Sequence, residues 1–264
     1  MEIYSYEFMR KAVLVGLLIS LIIPCIGTIM VNKRTSMMGD ALSHASLAGV
    51  SIGLIAGWNP IAGAVAVCLL AGFSMERLRR KFPRGSDLST AIIMSTGIGL
   101  AGILSDFVPG TSNLESFMFG SIVAIPNSEF FLILAISFVV LAVFALLYQG
   151  LLYIVFDEQG AKLAGVPVNG INTVFTLITA LTVAVASRAV GVLMISSLMI
   201  LPVALSMRIS KSYKSTVTTA VILAVIYTMA GIHISYFLGL KPGGVIVLLG
   251  VAALLVQFVF EKRK

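Results

Sequence analysis

The sequence predicts an all-α bundle of about eight or nine membrane-spanning helices. Three observations predict it. Of the 264 residues, 59% are hydrophobic and only 11% are charged, a balance that leaves a soluble fold of this size too little polar surface. The apolar runs last about 20 residues, the length that crosses a hydrocarbon core, and lack the 3.6 or 2 periodicity of half-buried elements. Runs of Leu, Ile, Val, Ala and Gly without polar alternation also exclude a barrel, whose strands alternate.

Nine spans are predicted in order, near residues 11 to 31, 38 to 57, 60 to 76, 89 to 106, 129 to 155, 169 to 187, 189 to 207, 215 to 237 and 243 to 260, within a single permease-sized domain covering 1–264. The first run is a full span with no small-residue cleavage site after it, so it is expected to stay in the membrane. The net charge of +7 resides in short clusters between spans. Lys33 and Arg34, then Arg77, Arg79, Arg80, Lys81 and Arg84, then Arg208, Lys211 and Lys214, and finally Lys262 to Lys264 fall on one side if spans alternate. Such placement marks the cytoplasmic side and orients the amino terminus outward. No basic helix or aromatic-interleaved patch supports nucleic-acid binding. The opposite side holds the Phe107 to Ser128 loop, which has no Lys or Arg, and turns at Trp58 to Asn59, at Arg188 and at Gly239 to Pro242.

Two connections are longer than turns. Within Pro109 to Pro126, the apolar piece Ser116 to Ala124 is too short to cross and reads as re-entrant, interfacial or plain loop. Within Phe156 to Val168, acids at Asp157 and Glu158 precede a small helical run that stops at Gly165 and Pro167, which predicts a short cytoplasmic helix.

Ionisable residues inside spans are functional candidates, because placing one there costs about 2.5–3.5 kcal/mol on insertion scales. The leading candidates are Asp40 and His44 in Gly39-Asp40-Ala41-Leu42-Ser43-His44-Ala45. Four residues apart, they share a helix face with Cβ atoms about 6 Å apart. A carboxylate and an imidazole suit zinc, manganese or iron, whereas magnesium or calcium sites favour oxygen alone. Water, backbone carbonyls or Ser43 would complete the shell, and an incompletely held ion can leave again, as transport requires. The competing reading is structural: Asp40 caps the helix start and pairs with His44 or Lys33. His233, near the outer end of a span, reads as a packed or interfacial histidine. Cys25 and Cys68 stand alone in apolar runs and read as packed thiols. The Met-rich stretch Met194 to Met207, and the small residues around Ala45 to Gly49 and Gly97 to Gly99, read as packing. Pro24 and Pro202 imply kinks or freed carbonyls within spans. No phosphate loop, HExxH, GxSxG or dinucleotide fingerprint is present, so neither ATP hydrolysis nor covalent catalysis is expected of this chain.

These residues resemble the permeases of bacterial ABC importers for zinc, manganese and iron, and the resemblance covers nearly the whole chain. Met38 to Ala45 carries it most specifically. Phe119-Gly120-Ser121-Ile122, Phe156-Asp157-Glu158 through Ala161 and Gly165, and Val190-Gly191-Val192-Leu193 running to Leu201-Pro202 follow in the family's order. The resemblance implies a multi-pass permease of the bacterial cytoplasmic membrane, with an architecture like that of metal-chelate ABC importers, and no permanently bound cofactor. It implies a homodimer around one path, two cytosolic ATP-binding subunits and an extracytoplasmic metal-binding protein. It further implies that Asp40 and His44 touch the transported divalent ion, that access alternates between faces, and that Asp157, Glu158, Ala161 and Gly165 belong to a coupling helix against the ATPase. Two positions depart from the family: Ala48 stands where Pro is frequent, and Gly239 and Lys241 stand near an outer turn that is often acidic. The rival readings are a permease for a chelate such as a siderophore or cobalamin, an ATP-independent secondary transporter or channel, and an intramembrane enzyme. The small number of acids and histidines within the spans disfavours the last.

Overall fold

In a computed structural model, residues 5–82, 86–121 and 125–261 are described. Arg84, Lys262 to Lys264 and the Ile122 to Ala124 part of the loop segment lie outside them. The chain runs through α1 (Glu7–Asn32), α2 (Met37–Ile55), α3 (Pro60–Lys81), α4 (Ser86–Ser105), α5 (Thr111–Phe119), α6 (Asn127–Phe156), α7 (Glu158–Leu163), α8 (Val168–Ala189), a 3-10 turn (Val192–Met194), α9 (Ile195–Ile209), α10 (Tyr213–Leu238) and α11 (Pro242–Glu261). Among the described residues, nine of these helices are long and apolar enough to cross a membrane, and they match the nine predicted spans. The 30 residues of α6 extend about 45 Å at 1.5 Å per residue, well beyond a hydrocarbon core of about 30 Å.

Helix boundaries follow local chemistry. Asn59 opens α3 by accepting from the Ile61 N–H at 2.9 Å, with Pro60 at the first helical position, where a missing N–H costs nothing. Ser212 caps α10, and Gly239 ends it in the left-handed region at φ 65°. Three buried threonines are satisfied within their own helices: Thr28 donates to the Pro24 carbonyl at 2.7 Å, Thr179 to Phe175 at 2.8 Å and Thr182 to Ile178 at 2.8 Å.

Two groups of helices are joined at the centre. The hairpin of α2 and α3 packs with α4, while α1 packs with α9, α10 and α6. The α8 helix bridges them through α3 and α6, and α2 also touches α8 and α9. Helices α1, α2 and α8 are the most covered, whereas α6 and α11 leave most of their apolar surface uncovered. Where α2 meets α3, Gly49 lies so near the backbone of Gly63 and Ala64 that a Cβ would stand 2.7 Å from the Ala64 Cα. Cys68 is fully buried, with its thiol 3.5 Å from the Leu42 carbonyl, and Cys25 is half-buried, which agrees with packed thiols. His233 is half-buried, its Nδ1 2.7 Å from the Met229 carbonyl one turn back, as a packed histidine should be.

Two expectations change. The loop segment is helical earlier than its hydropathy predicts, at Thr111–Phe119, because polar residues occupy the first turn and hid it. Arg188 is not in a connecting turn: it lies in the last helical turn of α8, is 7% exposed, and lies 2.8 Å from Glu129 of α6 with its guanidinium over Phe117 of α5. The break between α8 and the next helix falls instead at Val190 and Gly191. There Gly191, at φ 92°, crosses Gly120, at φ 79°, with backbone touching backbone. A Cβ on Gly120 would stand 2.7 Å from the Ala189 carbonyl, and one on Gly191 would strike Phe119 and Gly120. Only glycine allows both the left-handed backbone and the approach. Gly243, at the start of α11, abuts the Val190 and Phe119 carbonyls at the same crossing.

Candidate functional site

The α1 to α2 connection sets the site. Lys33 to Ser36 turn the chain sharply, with Arg34 at φ 56°, and α2 begins at Met37. Ser36 occupies the N-cap position, so Asp40 stands one turn inside the helix and does not cap it. Its charge still sits near the positive end of the helix dipole. Nor does Lys33 serve Asp40: its ammonium donates to the Asn172 side chain at 2.6 Å. Asp40 instead faces Ser196, in the first turn of α9, with its hydroxyl 3.5 Å from Oδ1. Asp40, His44 and Ser196 are each half-buried, whereas Ser43, between the first two, is 1% exposed and turned into the protein. Among the described residues, no three His, Cys, Asp or Glu side chains gather into a metal cluster.

Close packing fixes this face of α2 from two directions. A Cβ on Gly97 of α4 would lie 2.8 Å from the Ala45 nitrogen and 3.2 Å from the His44 Cβ, so α4 rests directly on the His44 turn. Gly99, by contrast, has nothing within 4 Å of such a Cβ. On the other side, a Cβ on Gly39 would lie 3.1 Å from the Met199 sulfur. Met199 is thus a packing residue, 1% exposed, as its stretch predicted.

Two cavities mark the ends of the bundle. One, of about 360 Å³, is lined by Lys33, Glu76, Arg79, Arg80, Glu158 and Asn172 among others, so three of the cations predicted to share a side meet there. Burial holds the Lys33 ammonium below the usual lysine range. Glu76, 7% exposed, accepts from Thr176 at 3.4 Å and was missed in the sequence because it closes an apolar run otherwise followed by arginines. The other cavity, of about 540 Å³, is lined by Phe8, Glu115, Ser121, Tyr236 and Lys241 among others. Lys241 reaches Glu115 at 3.3 Å, both exposed, and so pairs the turn before α11 with the short helix α5.

Beside the cation-rich cavity stands α7. The Asp157 carboxylate accepts from the Gly160 N–H at 2.9 Å as the N-cap, and Lys162 pairs with Glu158 at 2.8 Å one turn along. Gly165, at φ 82°, ends it. Ala161 is buried, facing the bundle, while Leu163 is 90% exposed.

The family model described as ABC 3 transport family matches residues 5–261. The chain belongs to the ABC 3 transport family. A relative in Treponema pallidum (strain Nichols), named a probable metal transport system membrane protein, is 36% identical over 251 residues, covering 95% of this chain and 94% of the relative. The manganese import system permease protein ScaB of Streptococcus gordonii is 27% identical, covering 99% and 94% of the two chains. Among solved structures, PsaBC from Streptococcus pneumoniae in complex with Fab superposes with a TM-score of 0.85 at 26% identity, over 97% of this chain and 92% of that one. An inward-facing putative metal-chelate type ABC transporter superposes with a TM-score of 0.74 at 15% identity, over 98% and 90%, and shares the fold. This ABC 3 protein is therefore a multi-pass permease, a transport subunit of the cytoplasmic membrane.

Proposed function

We propose that this permease admits a divalent transition-metal ion to the cytoplasm, with manganese foremost, and that Asp40 and His44 hold the ion in transit. The observation that carries the reading is the carboxylate and imidazole one turn apart on a half-buried face of α2, inside a span where ionisable side chains are costly. Several relatives are named for manganese transport, which supports the metal. A site of two protein donors binds briefly, and a transported ion must leave. A chelate permease would need a wide apolar cavity and no protein ligands, so the pair favours a bare ion.

In this reading, energy comes from separate cytosolic ATP-binding subunits, an extracytoplasmic metal-binding protein delivers the ion, and a second copy of the permease completes the path. The α7 helix is the natural contact for the ATPase: Ala161 anchors it to the bundle, Asp157 and Gly165 fix its ends, and Glu158 and Leu163 are presented outward. Nucleotide-driven movement of α7 would tilt the bundle between outward and inward access.

The test is accumulation of manganese, zinc and iron in cells carrying the whole importer. Asp40→Asn and His44→Ala should each abolish uptake of the same metal with normal amounts of permease in the membrane. Wild-type uptake by Asp40→Asn would sink the assignment.

A further inference from the structure

The site as proposed has two protein donors on one helix, and no third His, Cys, Asp or Glu joins them among the described residues. Any further donor from the same chain would therefore be of another residue type. We propose that Ser196 of α9 is that donor, and that its hydroxyl biases the site toward cations that accept hard oxygen ligands. The inference rests on the reading of Asp40 and His44 as ion ligands.

Three observations support it. The Ser196 hydroxyl oxygen lies 3.5 Å from Asp40 Oδ1, longer than the usual O–H···O hydrogen bond. Two oxygens that ligate one ion at about 2.0–2.2 Å stand roughly 3 Å apart in an octahedral shell and roughly 3.5 Å apart in a tetrahedral one. The observed 3.5 Å is the tetrahedral spacing, and the octahedral shell of manganese would need the two oxygens to close by about 0.5 Å. Second, the approach is built. Gly191 permits the sharp entry to the 3-10 turn and α9, so Ser196 falls in the helix's first turn, where the dipole favours a carboxylate such as Asp40. One turn further, Met199 packs its sulfur on Gly39, the residue before Asp40, which locks the register of α9 against α2. Third, Ser43, the hydroxyl that sequence spacing favoured, is turned into the protein and 1% exposed, while Ser196 is half-buried at the carboxylate.

A neutral serine can donate its proton to Asp40 when no ion is bound and present a lone pair to the ion when one is, with no net proton transfer. A hydroxyl suits manganese better than it suits softer ions, whereas sulfur in its place would suit zinc or cadmium.

The experiment measures manganese, zinc and cadmium uptake by the whole importer in cells, normalised to permease in the membrane, for Ser196→Ala, Ser196→Thr, Ser196→Cys and Asp40→Asn. Ser196→Ala should raise KM for manganese about tenfold or more, in the range typical for loss of a group supporting a metal site. Ser196→Thr should restore it, and Ser196→Cys should shift the preference toward zinc or cadmium. If Asp40→Asn abolishes uptake while the alanine and cysteine variants keep KM and metal order, Ser196 is a bystander and the inference fails alone. A fall in maximal rate with KM and metal order unchanged would likewise overturn it, since that is the signature of packing. Should Ser196→Ala not accumulate, the threonine and cysteine variants carry the same comparison. If Asp40→Asn transports normally, the ion-site reading fails and takes this inference with it.

Discussion

At the scale of single residues, a few contacts decide how the α2 face that carries Asp40 and His44 is held. Gly97 is the clearest. A side chain there must displace the backbone at Ala45 and the His44 Cβ, so Gly97→Val should push α4 off α2 and reduce metal uptake by moving His44. Gly99→Val, two positions along and in open space, should leave uptake near normal, and the contrast is read in one uptake assay. The buried pair of Glu129 and Arg188 makes a different prediction. Removing one partner strands a charge, at a cost of about 3–5 kcal/mol, while replacing both by apolar residues of similar size is often near neutral. Thermal unfolding of the detergent-solubilised permease should thus show Glu129→Gln or Arg188→Met markedly less stable than the double variant. A loss in the double variant equal to the sum of the two single losses would mean that the pair is not coupled.

Among elements, α7 offers the sharpest expectation. Its N-cap bond from Gly160 to Asp157 contributes about 1 kcal/mol to a helix of only six residues, which has little else to hold it. Asp157→Ala should weaken co-purification of the ATPase more than it affects permease abundance. Leu163→Glu, which changes only an exposed position, should disrupt co-purification with no loss of folding. The elements also show where sequence was informative. The spans were legible because the hydrocarbon core demands long apolar runs, and α7 because Asp157 and Gly165 punctuate it. The α5 helix was hidden because its first turn is polar. Arg188 looked like a turn residue because its partner Glu129 lies in another helix. Asp40 and His44 were visible as a local pair, but Ser196 is 156 positions from Asp40, and no local pattern ties a lone serine in an apolar helix to a distant carboxylate.

For the whole molecule, the two end cavities give an orientation that can be tested. Lys33, Arg79 and Arg80 share one end, and excess Lys and Arg marks the cytoplasmic face. Glu115 and Lys241 share the other. An impermeant maleimide added to intact cells should label a cysteine at Glu115 and should spare one at Arg80 until the membrane is permeabilised. Native Cys25 and Cys68, half-buried and buried within helices, should contribute little background. The reverse pattern would invert the topology and with it the direction of transport.

The glycine crossing has a consequence for biogenesis. Gly120, Gly191 and Gly243 come from three distant parts of the chain, and the last opens the final helix. Synthesis proceeds from the amino terminus, so the α5 segment emerges long before the α11 backbone that abuts it exists. During that interval, the carbonyls of Phe119 and Val190 lack their final neighbour. Native packing of this junction is therefore a late event, completed only when the carboxy-terminal helix has been inserted. A chain truncated before Pro242 would retain eight spans yet leave that junction open, a form suited to recognition by membrane quality-control proteases.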